Sequence, residues 1–390
     1  MRRDHRHECH FRAGPVPSAK LGRMASSPRP HYLQWTTVAP VLAFLLLLAT
    51  WHRDLPWPVV TLVACFLAVS VVAAVHHAEL IAHRVGEPYG SLVLAVAVTI
   101  IEVALIVTLM ADGGDKSAGL ARDTVFAAVM ITCNGILGLS ILVGALKYRV
   151  AVFNAEGTGA AFGAIATLAT LSLVLPTFTT SEPGPRFSTT QLVFAATASI
   201  VIYGLFVSTL TVRHRDYFLP VTPAGEVVDP MDEHSEPPTM KETLVSVALL
   251  SVALVSVVGL AKGVSPTIER GVAAADLPNA VVGVVIALLV LLPESIAAVR
   301  AAVRNRVQIS LNLALGSALA SIGLTIPAVA IASTWLSGPL ELGLGANHMV
   351  LLALTVAVGT LTVIPKRATP LQGGVHLAIL GAYLVLAVSP

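Results

Sequence analysis

Eleven long apolar runs, separated by short polar segments, form the dominant pattern of this 390-residue chain. Each run has 17 to 27 residues, and an α-helix needs about 20 apolar residues to cross the hydrocarbon layer of a bilayer. The pattern therefore predicts an all-α polytopic membrane protein with about 11 transmembrane helices. The predicted helices lie near residues 35–51, 58–82, 89–111, 124–146, 160–179, 190–212, 243–262, 278–299, 309–335, 346–364 and 370–388.

The composition agrees with this fold class and excludes others. Hydrophobic residues make up 55% of the chain and charged residues 12%, and the mean hydropathy is +0.82. A soluble domain is nearer to about 45–50% apolar and about 25% charged. The net charge of +2 does not indicate a nucleic-acid partner, because the basic residues flank the apolar runs. The three cysteines, Cys9, Cys65 and Cys133, are far apart, so we expect neither a disulfide nor a zinc motif.

The Lys and Arg residues predict the orientation of the chain. With a cytoplasmic N-terminus, the inside segments hold 18 of the 24 basic residues and the outside segments hold six. Cytoplasmic loops carry an excess of Lys and Arg, so we expect the N-terminus inside and the C-terminus outside, in the inner (plasma) membrane. Aromatic residues near predicted helix ends are typical of an interfacial belt. They are Trp35, Trp51, Trp57 and Trp335.

Two polar segments lie outside the runs. Residues 1–34 are basic and rich in Pro and Ser, which predicts a disordered tail without a signal-peptide pattern. Met24 offers a second start, and a His/Cys cluster in the tail (His5, His7, Glu8, Cys9, His10) is expected to be solvated rather than to bind metal. The loop 213–242 is predicted to be a cytoplasmic tether, with cation sensing as the alternative. It contains Asp229, Asp232, Glu233, His234 and Glu236.

The runs divide into two units of five once the first is set aside. Residues 35–57 hold the extra first helix, 58–212 the first unit and 243–390 the second. Because five is an odd number of crossings, the second unit inserts upside down relative to the first. Inverted repeats related by an axis in the membrane plane are a common transporter plan, with the binding site between the repeats.

Two glutamates inside the runs are the candidate site. Glu102 lies in the second helix of the first unit and Glu294 in the second helix of the second unit. A carboxylate in a transmembrane helix is unfavourable by roughly 2.5–3.5 kcal/mol on the insertion scale, so such residues usually mark ion or proton pathways. An inverted pair brings the two acids to related depths. We therefore predict that Glu102 and Glu294 meet near the bilayer midplane and bind a metal cation or protons.

Other residues around these acids are candidates for a supporting role. Thr99 lies on the same helix face as Glu102, one turn before it, and Pro293 removes a backbone donor directly before Glu294. Small and polar residues in the third helix of each unit allow close helix approach or supply oxygen ligands. The supporting residues are Thr99, Asn134, Gly135, Pro293, Asn312, Gly316 and Ser317.

A polar group at the end of the second run has three open interpretations. His76, Glu79 and His83 share one helix face toward the predicted cytoplasmic end. They are candidates for a path by which protons or cations reach the site, since His titrates near neutral pH. A metal site and a plain interfacial polar end are the alternatives. The spacing lacks the His-Glu-x-x-His order of zinc peptidases.

Two stretches resemble the paired alpha-repeats of the cation/calcium exchanger superfamily, and within it the bacterial ChaA-type calcium/proton antiporters. They are VHHAELIAHRVGEPYGSLVLAVAVTIIEVALIVTLM and LLPESIAAVRAAVRNRVQISLNLALGSALASIGLTIP. The resemblance runs from about residue 35 to the C-terminus. It implies inverted five-helix repeats plus an extra helix, and it places Glu102 and Glu294 at the two essential acidic positions. Gly316 and Ser317 resemble the Gly-Ser step of the second repeat.

The implied function is antiport, in which calcium is exported in exchange for protons by alternating access, without a cofactor. ChaA-type proteins also exchange sodium or potassium. Many exchangers have Gly-Asn-x-x-Glu around each acid, whereas this chain has Val98 and Thr99 before Glu102 and Val290 and Leu291 before Glu294. Fewer oxygen ligands leave a sodium/potassium exchanger with little calcium transport as the alternative.

Two rival classes are less consistent with the sequence. A cation channel needs a continuous pore rather than a site closed on both sides. An intramembrane enzyme needs a Ser/His pair, an Asp pair or a zinc motif within the spans, and the runs contain none of these patterns. The expected partners are the lipid bilayer and the transported cations and protons, and the sequence does not determine the oligomeric state.

Overall fold

The computed structural model describes residues 35–389 apart from 52, 54, 86–88, 114–116, 223–237, 279 and 337. The predicted tail 1–34, with its His/Cys cluster, lies outside the described residues. So does the part of the predicted loop that holds Asp229, Asp232, Glu233, His234 and Glu236. The described chain is almost entirely helical.

Twelve α-helices and one short two-stranded sheet make up the described fold. The helices are α1 (Trp35–Thr50), α2 (Trp57–Val85), α3 (Tyr89–Gly113), α4 (Leu120–Met130), α5 (Leu137–Tyr148), α6 (Ala155–Ala169), α7 (Thr189–Ser208), α8 (Met240–Ala274), α9 (Ala280–Val303), α10 (Val307–Ala332), α11 (Ala346–Val363) and α12 (Pro370–Val388). Strand β1 (Ala151–Val152) pairs antiparallel with β2 (Arg367–Ala368). Short π-helical or 3₁₀ segments are Ile131–Ile136, Thr170–Val174, Leu175–Thr177, Thr209–Arg213 and Arg215–Phe218.

The helices reproduce the eleven predicted runs. The π-helical segment Ile131–Ile136 joins α4 to α5, so Leu120–Tyr148 is one continuous span. Among the described residues, nine helices are long and apolar enough to cross a membrane, and Trp35–Thr50 and Val96–Ala111 are shorter apolar helices. These findings confirm an all-α polytopic membrane protein.

The end of α8 differs from the prediction. The seventh run was expected to end at residue 262, but the helix continues to Ala274 and includes Pro266. Hydropathy marks where a helix leaves the hydrocarbon layer, and backbone hydrogen bonding continues into the polar region beyond it. Lys262 and Arg270 therefore lie on the helix rather than in a loop.

Hydrogen bonds between loops define two faces of the bundle. The basic face comprises residues 84, 147–154, 213–218, 300–308 and 365–368. It is held together by the β1–β2 pair, by Lys147 and Tyr148 donating to the carbonyl of Val303, and by Asn154 N–H donating to Gln308. The opposite face comprises residues 117–122, 175–188 and 338–345, where Glu341 N–H donates to the carbonyl of Ala118. The alternation of these loops along the chain agrees with the predicted crossings.

The two predicted five-helix units have matching packing partners. The first helices of the units, α2 and α8, pack on each other, and α1 lies against both. The second helix of each unit packs on the third helix of the other, giving α3 on α10 and α9 on α4. The last helix of each unit also packs on the third helix of the other, giving α7 on α10 and α12 on α5. This reciprocal pattern is what inverted repeats produce.

Two apolar clusters surround the middle of the bundle. One joins residues of α1, α2, α3, α8 and α9, and includes Leu105, Val257 and Val290. The other joins α4 to α7 with α9 to α12, and includes Phe126 and Leu315. Both clusters include residues of α3 and α9, the two helices that carry the candidate acids.

The close approach of α12 to α5 is a test of the fold. A Cβ at Gly373 would lie 2.6 Å from the backbone nitrogen of Leu142 and 2.8 Å from the carbonyl oxygen of Gly138, whereas a Cβ at Gly374 would have no atom within 4 Å. Gly373→Ala should therefore lower the free energy of unfolding by about 1–3 kcal/mol, as overpacking typically does. Gly374→Ala, the matched control, should be neutral or stabilising, because Ala is the better helix former. Thermal unfolding of both purified variants in detergent measures the difference, and equal midpoints would contradict this packing.

Candidate cation site

Glu102 is positioned by α3 and held by α10. The side chain is 3% exposed, and its Oε2 accepts a hydrogen bond of 2.7 Å from the hydroxyl of Ser321. Its Oε1 is buried and has no hydrogen-bond partner among the described residues. A buried carboxylate oxygen without a donor is strongly unfavourable unless a proton or a cation neutralises it. This oxygen is therefore a candidate ligand position for one or the other.

Glu294 is positioned by α9 and has a similar environment. It is 9% exposed, and its Oε2 is also buried without a hydrogen-bond partner among the described residues. Pro293 lies within α9 directly before it. Because proline has no N–H, the carbonyl one turn earlier in the helix receives no bond from that position.

One cavity of about 130 Å³ contains both acids. It lies among α3, α7, α9 and α10. Glu294 is also within electrostatic range of both Glu102 and Glu79. The prediction that the two glutamates meet is therefore consistent with the structure. The lining residues are Val98, Thr99, Glu102, Tyr203, Phe206, Val207, Leu210, Glu294, Asn312, Leu313, Gly316, Ser317, Ala320 and Ser321.

Four of the predicted supporting residues line this cavity, namely Thr99, Asn312, Gly316 and Ser317. A Cβ at Gly316 would have no atom within 4 Å, so this glycine leaves open space beside the acids. The amide of Asn312 donates to the carbonyl of Phe218 at 2.7 Å and accepts a bond from Gln308. Asn312 therefore lies at the end of the cavity that points to the basic face.

Three of the predicted supporting residues do not line the cavity. Asn134 is fully buried, but its side chain bonds to Thr355 on α11 and to His376 on α12. A Cβ at Gly135 would lie 3.0 Å from Leu380, so this glycine serves packing against α12. Pro293 affects the site only through the backbone of α9. The sequence could not show this, because helical spacing does not identify the neighbour on each face.

The predicted access group on α2 is only partly connected to the site. Glu79 is exposed and lies within electrostatic range of Glu294. His76 is half-buried and His83 is exposed. No group of three or more His, Cys, Asp or Glu side chains suited to a metal ion occurs in the described part of the chain, so the metal-site alternative for these three residues lacks support. The neighbouring His77 is the buried histidine, with Nε2 3.0 Å from the carbonyl oxygen of Thr36.

Sequence reasoning missed the contribution of α7 to the site. Tyr203, Phe206 and Val207 line the cavity from α7, a helix that has no charged residue, and Leu210 lines it from the π-helical segment that follows. Gly323 on α10 permits this approach, since a Cβ there would lie 2.7 Å from the Cβ of Tyr203. Ser321 was not among the predicted supporting residues. Its spacing of four residues from Ser317 is the one signal that placed it on the same helix face.

This arrangement suits hard cations and protons. Two carboxylates, with hydroxyls from Thr99, Ser317 and Ser321, provide oxygen ligands within an apolar bundle. Hard cations prefer such ligands, and ionisable residues within membrane spans mark ion pathways. Fold and site together define an ion-transporting membrane protein.

The chain belongs to the sodium/calcium exchanger protein family, because the model of that family matches residues 55–212 and 245–389. It is 46% identical over 363 residues to the y4hA protein of Sinorhizobium fredii (strain NBRC 101917 / NGR234), covering 92% of this chain and 97% of that one. It is 33% identical over 359 residues to the sodium-potassium/proton antiporter ChaA of Escherichia coli (strain K12), covering 91% and 96%. The crystal structure of the H+/Ca2+ exchanger CAX has the same fold, with a TM-score of 0.64, 13% identity and coverage of 90% and 91%. The resemblance seen in the sequence is confirmed.

The Ser321–Glu102 contact gives a test of the site. Ser321→Ala removes the donor to a buried carboxylate, and hydrogen bonds to charged groups contribute about 1.5–3 kcal/mol. We expect cation binding by the purified protein to weaken at least about 10-fold. Ser251→Ala is the control, since that exposed hydroxyl bonds only to the carbonyl of Val247 in its own helix. Unchanged affinity in Ser321→Ala, measured by calorimetry with calcium, sodium and potassium in turn, would remove Ser321 from the site.

Proposed function

We propose that this protein is a secondary active cation/proton antiporter that exports calcium in exchange for protons by alternating access. An exchanger of sodium or potassium with little calcium transport is the alternative. The single observation that carries the proposal is that Glu102 and Glu294, one from each five-helix unit, line the same buried cavity. Two carboxylates balance one divalent ion or two protons.

Competition between protons and cations follows from burial. Removing a carboxyl group from water disfavours its charged form, whereas a bound cation favours it. Each acid must therefore hold either a proton or a share of a cation, and the two states exclude each other. Exchange results when protons neutralise the acids after the cation leaves outward, and deprotonation on the inside lets the next cation bind.

The shape of the cavity supports access from the basic face. Its lining continues along α7 to Leu210 and along α10 to Asn312, and both residues lie toward that face. Glu79, within electrostatic range of Glu294, is a suitable first contact for an incoming cation. His76 and His83 on the same helix are proposed to assist it.

The number of oxygen ligands in the cavity bears on which cation is transported. Calcium takes about six to eight oxygens, and the hydroxyl-bearing residues that line the cavity beside the acids are Thr99, Tyr203, Ser317 and Ser321. The related ChaA is a sodium-potassium/proton antiporter, and the protein CAX, which shares the fold, is an H+/Ca2+ exchanger. The decisive assay adds calcium, sodium and potassium separately to vesicles that hold a pH gradient.

The basic face is proposed to be cytoplasmic, in the inner membrane. It carries eleven Lys and Arg residues of the described chain, counting Lys241 at the start of α8, and the opposite side carries five. This excess supports a cytoplasmic N-terminus and an external C-terminus. We propose that the cycle uses no bound cofactor. We also propose the following division of the chain: tail 1–34, extra first helix 35–57, first five-helix unit 58–212, loop 213–242 and second five-helix unit 243–390.

Neutral substitution of the acids tests the function. Glu102→Gln and Glu294→Gln each remove a charge that the cation needs and a group that binds the proton. Both variants should abolish cation-driven proton flux in everted vesicles, a loss of at least about 100-fold for removal of one buried ion contact. Glu182→Gln, in an exposed loop of the opposite face, is the matched control and should transport normally. Normal transport by both single variants would disprove the site assignment.

Cysteine labelling tests the orientation. In a background without the three native cysteines, Arg367→Cys on the basic face should react with an impermeant maleimide only in everted vesicles. Ser181→Cys on the opposite face should react only in intact cells or right-side-out vesicles, because the positive charge excess marks the cytoplasmic side. The reverse labelling pattern would invert the proposed topology.

A further inference from the structure

A buried polar cluster lies beside the cavity but does not line it. Asn134 Nδ2 donates to Thr355 Oγ1 at 2.9 Å, and Asn134 Oδ1 accepts a hydrogen bond of 3.0 Å from His376 Nδ1. His376 Nε2 lies 3.2 Å from the hydroxyl of Thr362. The side chains of Asn134 and His376 are fully buried. The cluster thus ties the middle of the α4–α5 span to α11 and α12.

The contact between Ser321 and Glu102 has an equivalent pair of residues in the other two helices, but that pair makes no hydrogen bond in this structure. Helices α3 and α10 run in the same direction, and Glu102 and Ser321 lie 13 and 14 residues after their first residues. In the reciprocal pair, α9 and α4 also run in the same direction, and Glu294 and Asn134 each lie 14 residues after the helix start. Asn134 is therefore the counterpart of Ser321. Unlike Ser321, it is bonded to other partners.

The packing of α4 on α9 places Asn134 and Glu294 at the same depth. A Cβ at Gly283 on α9 would lie 3.0 Å from the backbone nitrogen of Thr124 on α4. Glu294 follows Gly283 by 11 residues and Asn134 follows Thr124 by 10. The π-helical segment that holds Asn134 packs on α9. Glu294 Oε2 is a buried acceptor that lacks a donor among the described residues. The amide of Asn134, which lies at the same depth, donates to Thr355 instead.

We propose that His376 is a positioning residue which, together with Thr355, holds the Asn134 side chain away from Glu294. When the site opens to the opposite face, Asn134 exchanges these partners for Glu294 and its bound cation. The inference rests on the proposed function, since it assigns a second arrangement of the same site. It gives the two acids alternate donors: Ser321 for Glu102 in this structure, and Asn134 for Glu294 in the other state.

A double-mutant cycle tests this inference. His376→Ala removes one neutral hydrogen bond that opposes the exchange, a change that corresponds to about 5-fold in an equilibrium constant. We expect the KM for the cation in right-side-out vesicles, where the added cation meets the opposite face, to fall about 5-fold, with a smaller change in maximal rate. In an Asn134→Ala background the same substitution should leave the KM unchanged, because His376 acts only through Asn134. A merely structural role of His376 would change the KM equally in both backgrounds, and that result would overturn the inference.

Two further variants keep the test decisive if His376→Ala folds poorly. Thr355→Val removes the other partner and should lower the KM in the same direction. Thr360→Val is its matched control, since this exposed hydroxyl on the same helix bonds only to the carbonyl of Val356. His376→Gln, which retains a donor for Asn134, should restore the KM toward the wild-type value. An effect of Thr360→Val as large as that of Thr355→Val would overturn the inference.

Wild-type and Glu102→Gln vesicles in the same assay separate this inference from the proposed function. If wild-type vesicles show no cation-dependent proton flux, the proposed function fails and the inference fails with it. If the wild type exchanges and Glu102→Gln does not, the function stands. If the effects of His376→Ala and Asn134→Ala on the KM are then additive, only the role of His376 is refuted.

Discussion

The structure depends on the free energy required to keep two carboxyl groups away from water. Glu102 and Glu294 each present a buried oxygen without a hydrogen-bond donor in the described chain. Such a group is tolerated when a proton or a cation neutralises it, and not when it carries an uncompensated charge. The apolar bundle thus makes proton binding and cation binding mutually exclusive. We propose this competition as the physical basis of exchange.

The inverted arrangement of two five-helix units explains how two such groups come to share one cavity. Each acid lies in the second helix of its unit, and that helix packs on the third helix of the other unit. The pairing brings Ser321 to Glu102 across the interface between the units. Since equivalent helices run in opposite directions, the same local sequence plan faces both sides of the membrane. In this structure the cavity extends toward the basic face. The inverted relation of the units predicts a second state in which the cavity extends toward the opposite face.

The sequence predicted the fold, and it singled out Glu102 and Glu294 as candidates, because both features leave local signals. Apolar runs report the bilayer thickness, and a carboxylate within such a run is conspicuous. The partners of Asn134 left no local signal, since His376 is 242 positions away and its buried ring is one of many histidines in the chain. The role of α7 was equally hidden, because Tyr203 and Phe206 are ordinary apolar residues until packing brings them to the cavity. The extension of α8 to Ala274 was missed because hydropathy does not report helix length beyond the membrane.

The residues that line the cavity bear on which cation the site selects. Four hydroxyl-bearing residues line the cavity, namely Thr99, Tyr203, Ser317 and Ser321, beside apolar residues such as Val98 and Leu313. A calcium shell of about six to eight oxygens would use nearly all of them together with both carboxylates. Charge on the two acids then contributes most of the affinity, and the remaining ligands determine which ion is preferred. If the amide of Asn134 joins the site in only one state, the number of ligands around the cation differs between the states open to the two faces. Ion preference and the direction of release would then depend on the same side-chain movement.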